Sequence, residues 1–287
     1  HIASPSAADD TDEEVRPPAV RRDLSRPLPA AVASLETRYR QELFAEVVPF
    51  WEQLVCADAT AEAIYDNADS PSPVIPPDAP EVLADALWLF SWLHGRARAH
   101  ARWRGYAGAL VQVVLRDAHA SEDATPVWSA EPGTWLSLAD GLREYADAAM
   151  SAQCLALARR LTLRAAAQPP EVVRSPLERA GRVVLVGAEL LRRGVDPEIQ
   201  NAVDSAVEAI IGAHHNEETQ LLEEEPRCPR AAPGVTVFGR SFDALWAVMR
   251  YARRRGAPLL TETCAALVRR HVDIGWDDVF GGLAHAM

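Results

Sequence analysis

The chain has 287 residues and a mass of 31.3 kDa, enough for one large domain or two small ones. With 48% hydrophobic and 24% charged residues, it can bury a sizeable core. Its 29 basic and 41 acidic residues leave a net charge of −12, which argues against non-specific binding to nucleic acid or to an anionic membrane. Every basic residue is arginine, and the absence of lysine excludes Schiff-base, pyridoxal-phosphate and P-loop chemistry.

Cys56, Cys154, Cys228 and Cys264 stand singly, so neither a zinc ribbon nor a redox dithiol is expected. No apolar run approaches the ~20 residues that span a bilayer. The first residues lack the basic and then apolar pattern of a signal peptide. The cytoplasm is the expected compartment.

Residues 1–32, rich in Ala, Pro, Asp, Glu and Arg, are expected to form a disordered tail before a helical domain over 33–287. From Leu35 the pattern changes. Leu43, Phe44, Val47, Val48, Trp51, Leu54 and Val55 recur at helical spacing. Five prolines between Pro71 and Pro80 make the stretch 66–80 a loop. A second helical stretch runs from Glu81 towards Val114, and a loop covers 119–134. Helix-period apolar faces follow over 135–167, 178–193, 198–214, 240–255 and 259–274. Only Val235–Phe238 suggests extended chain. The expected class is all-α, built of helical hairpins.

Several features invite chemistry. The eight tryptophans would mainly build core, with a carbohydrate platform as the alternative reading. His214 and His215 lie at a helix end, but adjacent helical positions point about 100° apart, so no metal site is expected. Glu223, Glu224 and Glu225 read as a solvated acidic turn. Asp277 and Asp278, followed by Gly281 and Gly282, read as a structural turn in which glycine permits positive φ.

Four motifs in order carry a family resemblance. Tyr39-Arg40 and Pro49-Phe50-Trp51 match an opening Y-R…P-F-W, and Leu87-Trp88-Leu89-Phe90-Ser91 matches a W-x-F-S helix. Gly239-Arg240-Ser241-Phe242-Asp243 through Trp246 resembles G-H-x-x-E-x-x-W, and Gly275-Trp276-Asp277 through Gly281-Gly282 resembles a G-W-D-x-x-x-G-G turn. The pattern is similar to that of the N-acylglucosamine 2-epimerase superfamily. The resemblance implies an (α/α)6-barrel-like toroid of helical hairpins, incomplete here because the chain stops five residues after Gly282. It implies a sugar-like ligand and no cofactor, and it admits a homodimer. In that family two histidines move the proton at C2 of an open-chain sugar.

The departures fall on those acid–base positions. Arg240 replaces the motif histidine, and a guanidinium cannot abstract a proton. Asp243 replaces the glutamate, Asp85 an arginine, and Arg179 another histidine. Trp88, Asp85, Arg179 and Trp246 are the expected ligand-binding residues, and Arg240 and Asp243 the expected reaction centre. An arginine in the cavity would favour an anionic or carbonyl ligand. Two functions follow: an epimerase or isomerase with Asp243 as base and Arg240 polarising the carbonyl, or an inactive or repurposed homologue that binds a ligand or partner. Arg240 and Asp243, three apart on one helix, are also placed to pair with each other.

Overall fold

A computed structural model describes residues 30–55, 80–96, 101–119, 131–170, 173–226, 234–276 and 282–287. The expected tail up to residue 29, the loop at 66–79 and the residues Cys56, Cys228, Asp277, Asp278 and Gly281 lie outside these. The chain divides into two units, one ending at Phe50 and the other beginning at Trp51. The first contains α1 (Ala30–Glu42), which continues through a wider π turn, Leu43–Val47, into the start of α2 (Val48–Val55), within which the division falls.

The second unit contains α3 (Pro80–Arg96), α4 (Ala101–His119), α5 (Pro132–Ala149), α6 (Ala152–Ala166), α7 (Pro176–Leu190), α8 (Pro197–Glu208), α9 (Phe238–Arg255) and α10 (Pro258–Gly275). Short connections join α3 to α4, α5 to α6, α7 to α8 and α9 to α10, and each pair packs together as an antiparallel hairpin. The first helices of the pairs also pack on one another in sequence, α3 on α5, α5 on α7 and α7 on α9. They form an inner row, and their partners an outer layer. Burial tells the two apart. The inner α7 buries eleven of its fifteen residues, whereas the outer α8 buries only Ile199 and Val203. The all-α hairpin toroid expected from the sequence is the fold observed. No described helix is long and apolar enough to cross a membrane.

Proline at the first helical position starts α5, α7, α8 and α10, where its missing N–H leaves no helix bond unmade. Asp196 caps α8 by accepting the Ile199 N–H at 3.2 Å. The stretch 135–167, expected as one helix, is two. Met150 turns left-handed (φ 56°) and Ser151 caps α6 by accepting the Cys154 N–H. A methionine in place of the usual glycine hid this break. The stretch 81–114 also divides, into α3 and α4, separated by residues 97–100.

The inner row is drawn tight by two glycines. A Cβ at Gly141 of α5 would lie 2.9 Å from Leu87 Cγ and 3.1 Å from the Trp88 backbone nitrogen on α3. A Cβ at Gly181 of α7 would lie 3.0 Å from Ala244 Cα on α9. At both places the helices approach close to backbone contact. A charged cluster extends this row. Glu189 on α7 is buried and meets Arg250 (2.6 Å) and Arg254 (2.5 Å) of α9 and Arg192 (3.0 Å). Burial pushes its carboxyl up, but these three guanidinium groups outweigh that and hold it below the usual range.

Gly181→Val should lower stability by about 2–3 kcal/mol through overpacking of α7 on α9. Urea denaturation measures this, and an unchanged midpoint would contradict the close approach.

Candidate functional site

The inner helices enclose a cavity of about 310 Å³, at the small end of the range for ligand pockets. Asp85 and Trp88 of α3, Ser137 and Asp140 of α5, Glu178 and Arg182 of α7, and Arg240, Asp243 and Trp246 of α9 all line it. These positions lie mostly in the N-terminal halves of helices that run in one direction, which is why residues distant in sequence meet at one end. Five of the six site residues expected from sequence, Asp85, Trp88, Arg240, Asp243 and Trp246, are brought together here.

Arg179 is not. On α7 the stripe Glu178, Gly181, Arg182, Leu185 faces the cavity, while Arg179 shares the other side with Ala180 and Val183. Its guanidinium donates to the Gln168 carbonyl. A one-residue step on a helix rotates the side chain by about 100°, so the weak alignment at Arg179 put it on the wrong face.

Arg240 and Asp243 do not pair with each other. Arg240 instead bridges Glu178 (Nε to Oε2, 3.2 Å) and Glu224 (Nη1 to Oε2, 3.3 Å). Arg182 pairs with the same Glu178 at 3.3 Å and donates to Ser137 Oγ. Asp140 accepts from Arg143 through Nε (2.9 Å) and Nη2 (2.7 Å). Burial raises the Asp140 carboxyl, with Arg143 opposing the shift and Glu144 and Glu189 adding to it. Partial enclosure likewise raises Asp85, Arg182 opposing and Glu81 adding. Asp85 and Asp243 make no ion pair or hydrogen bond with another described residue. Trp88 and Trp246 keep 39% and 52% of their surface exposed, although Trp88 stacks on Trp92 (6.3 Å between ring centroids) and the Arg250 guanidinium lies 5.3 Å from the Trp246 ring centroid.

The acidic stretch after α8 is not a solvated turn. Glu223 and Glu224 are buried just after a two-stranded hairpin, β1 (His215–Asn216) and β2 (Leu221–Leu222), which the sequence did not announce, and only Glu225 is exposed. Asn216 Nδ2 donates to Glu223 Oε1 at 2.5 Å, and its Oδ1 accepts from the Glu218 and Thr219 N–H groups. His214 Nδ1 meets the Glu223 carbonyl at 2.8 Å. His271 Nε2 accepts the Leu222 N–H at 3.0 Å while Nδ1 lies 2.8 Å from the Leu267 carbonyl, an arrangement that requires a neutral ring protonated at Nδ1. Of the stretch expected as extended, Val237 bridges to Ala286 and Thr236 exchanges both backbone hydrogen bonds with Met287, whereas Phe238 begins α9. Burial pushes the Glu224 carboxyl up, Arg240 opposing and Glu178 and Glu225 adding.

None of the described cavity residues is a histidine. Among the described residues, no group of three or more His, Cys, Asp or Glu could hold a metal ion.

No protein-family model and no curated protein matches the chain. Solved structures match it in fold. A sugar epimerase from a ruminal bacterium aligns with a TM-score of 0.66 at 13% identity, covering 88% of this chain and 75% of that one. The cellobiose 2-epimerase from Bacillus thermoamylovorans gives 0.66 at 13%, covering 88% and 76%. That from Spirochaeta thermophila gives 0.60 at 15%, covering 86% and 72%. The chain therefore has a carbohydrate-epimerase-like fold, as its four motifs implied.

The imidazoles of His214 and His271 are held below their usual range, chiefly by burial, with carbonyl contacts from Glu223 and Leu267 opposing. A ring that resists protonation only when folded stabilises the protein above the unfolded value of ~6.5. That stabilisation is lost as pH falls from there through the folded pKa. The raised carboxyls of Asp85, Asp140 and Glu224 act with the opposite sign, so the histidines are best followed directly. An NMR pH titration should show both rings ionising below pH 6.5; ordinary titration at either would contradict its burial.

Proposed function

We propose that the chain binds a small sugar in the inner-helix cavity and does not catalyse ordinary sugar 2-epimerisation. The observation that supports this reading is the cavity itself: two exposed tryptophans beside carboxylates, with no described histidine. Aromatic faces suit the C–H faces of a pyranose, and carboxylate oxygens accept from neighbouring hydroxyls. Proteins of like fold carry the names sugar epimerase and cellobiose 2-epimerase, which makes a carbohydrate the favoured ligand class.

Moving a proton at C2 needs a group that both takes and returns it near neutral pH, which imidazole does. Arg240, at the motif position, cannot. It is also held between Glu178 and Glu224, so it is poorly disposed to reach a substrate carbonyl. Asp243 is the remaining candidate base, and it lacks a partner to return the proton.

The test has two parts. Glucose, mannose and cellobiose should perturb tryptophan fluorescence, and the response should be lost in Trp246→Ala. The same sugars in deuterated water should show no exchange at C2. Rapid exchange that disappears in Asp243→Asn and survives Arg240→Ala would establish Asp243 as a working base and overturn the proposal.

A further inference from the structure

Two of the inner helices carry the same four residues. Asp85-Ala86-Leu87-Trp88 on α3 and Asp243-Ala244-Leu245-Trp246 on α9 are identical tetrapeptides. In both, the alanine and leucine are buried and the aspartate and tryptophan are exposed. Spacing of three on a helix puts each Asp and its Trp on one face, and both faces line the same cavity. The cavity thus has two carboxylate-and-indole walls, contributed from the two ends of the described inner row.

Its charge is unbalanced. Four carboxylates (Asp85, Asp140, Glu178 and Asp243) line it against two guanidinium groups (Arg182 and Arg240). Both arginines pair with Glu178, and Arg240 also with Glu224, so neither presents a free fork to an anion. Asp140 is tied to Arg143. The carboxylates left over are the two in the repeated tetrapeptides. Helix N-termini would favour an anion, but that field fades within the first turn, and both aspartates lie beyond it.

Trp88 is stacked by Trp92 and Trp246 already carries Arg250 over its ring, yet both stay exposed on the cavity side of their aspartates. A carboxylate next to an exposed indole is a recognition element for an ammonium group, by ion pairing and by cation–π attraction. We propose that this cavity selects an amino sugar, a polyhydroxylated ring carrying a protonated amine, which seats its ammonium against Asp85 or Asp243 and its ring on Trp88 or Trp246. The proposal rests on the sugar-binding reading above and reverses the preference for an anion expected from Arg240 alone.

Calorimetric titration of the full chain at pH 6.5 with glucosamine, glucose and glucuronate tests it. Glucosamine is expected to bind at least about tenfold more tightly than glucose, which is about 1.4 kcal/mol, and glucuronate most weakly. The preference over glucose should fall at least fivefold in Asp85→Asn or in Asp243→Asn, both exposed positions at which the fold can be verified by circular dichroism. Added salt should weaken glucosamine and leave glucose unchanged. Equal binding of glucosamine and glucose would overturn the amine preference and leave sugar binding standing. Tightest binding of glucuronate, or a preference untouched in both variants, would also overturn it. No binding of any of the three would overturn both readings.

Discussion

The site depends on how closely the inner helices approach. Gly141 lets α5 come to the backbone of Trp88 on α3, and Gly181 lets α7 come to Ala244 on α9. Each glycine faces one of the two Asp-Ala-Leu-Trp turns, meeting Leu87 and the Trp88 backbone in the first and Ala244 in the second. Its ends, aspartate and tryptophan, are thereby turned to the cavity. A glycine inside a helix costs roughly 1 kcal/mol relative to alanine. Two such positions on the inner row are consistent with a spacing that larger side chains would spoil. The same approach brings Glu178 and Arg182 of α7 beside Arg240 of α9, which sets the pairing inside the cavity.

That pairing decides the electrostatics more than the count of charges does. Glu178 meets two guanidinium groups, and Glu224 meets one of them from outside the helical row. Arg240 is therefore flanked by carboxylates on two sides. An arginine with its fork occupied contributes rigidity and not anion recognition. The local charge that remains belongs to Asp85 and Asp243.

Much of this was legible in the sequence, for a physical reason. Helical periodicity and proline or glycine punctuation mark hairpins strongly, and the four motifs fixed the order of the elements. Asp85, Trp88, Arg240, Asp243 and Trp246 could be named because each lies in a motif with a definite helical phase. Arg179 was misplaced because one residue along a helix turns a side chain by about 100°, enough to carry it off the cavity face. Asp140, Glu178 and Arg182 were missed because nothing local separates a cavity-lining charge from a solvated one. The repeated tetrapeptide, however, was open to a direct comparison of the chain with itself. The hairpin at 215–222 was hidden because two-residue strands leave no alternating pattern.

The histidines show where this chain departs from the chemistry its motifs suggest. His214 and His271 are buried, and each is matched to a backbone group at the hairpin's β2 end, Glu223 and Leu222. Asn216 ties Glu223 to the same hairpin, and Glu224 then reaches Arg240. The imidazoles thus act through a chain of contacts on Arg240, without entering the cavity among the described residues. A buried imidazole fixed as one tautomer is a good strut and a poor proton shuttle, because taking a proton would break the bond from the Leu222 N–H. Support by histidine and proton transfer by histidine are different uses of one ring, and the geometry around His271 is that of the first.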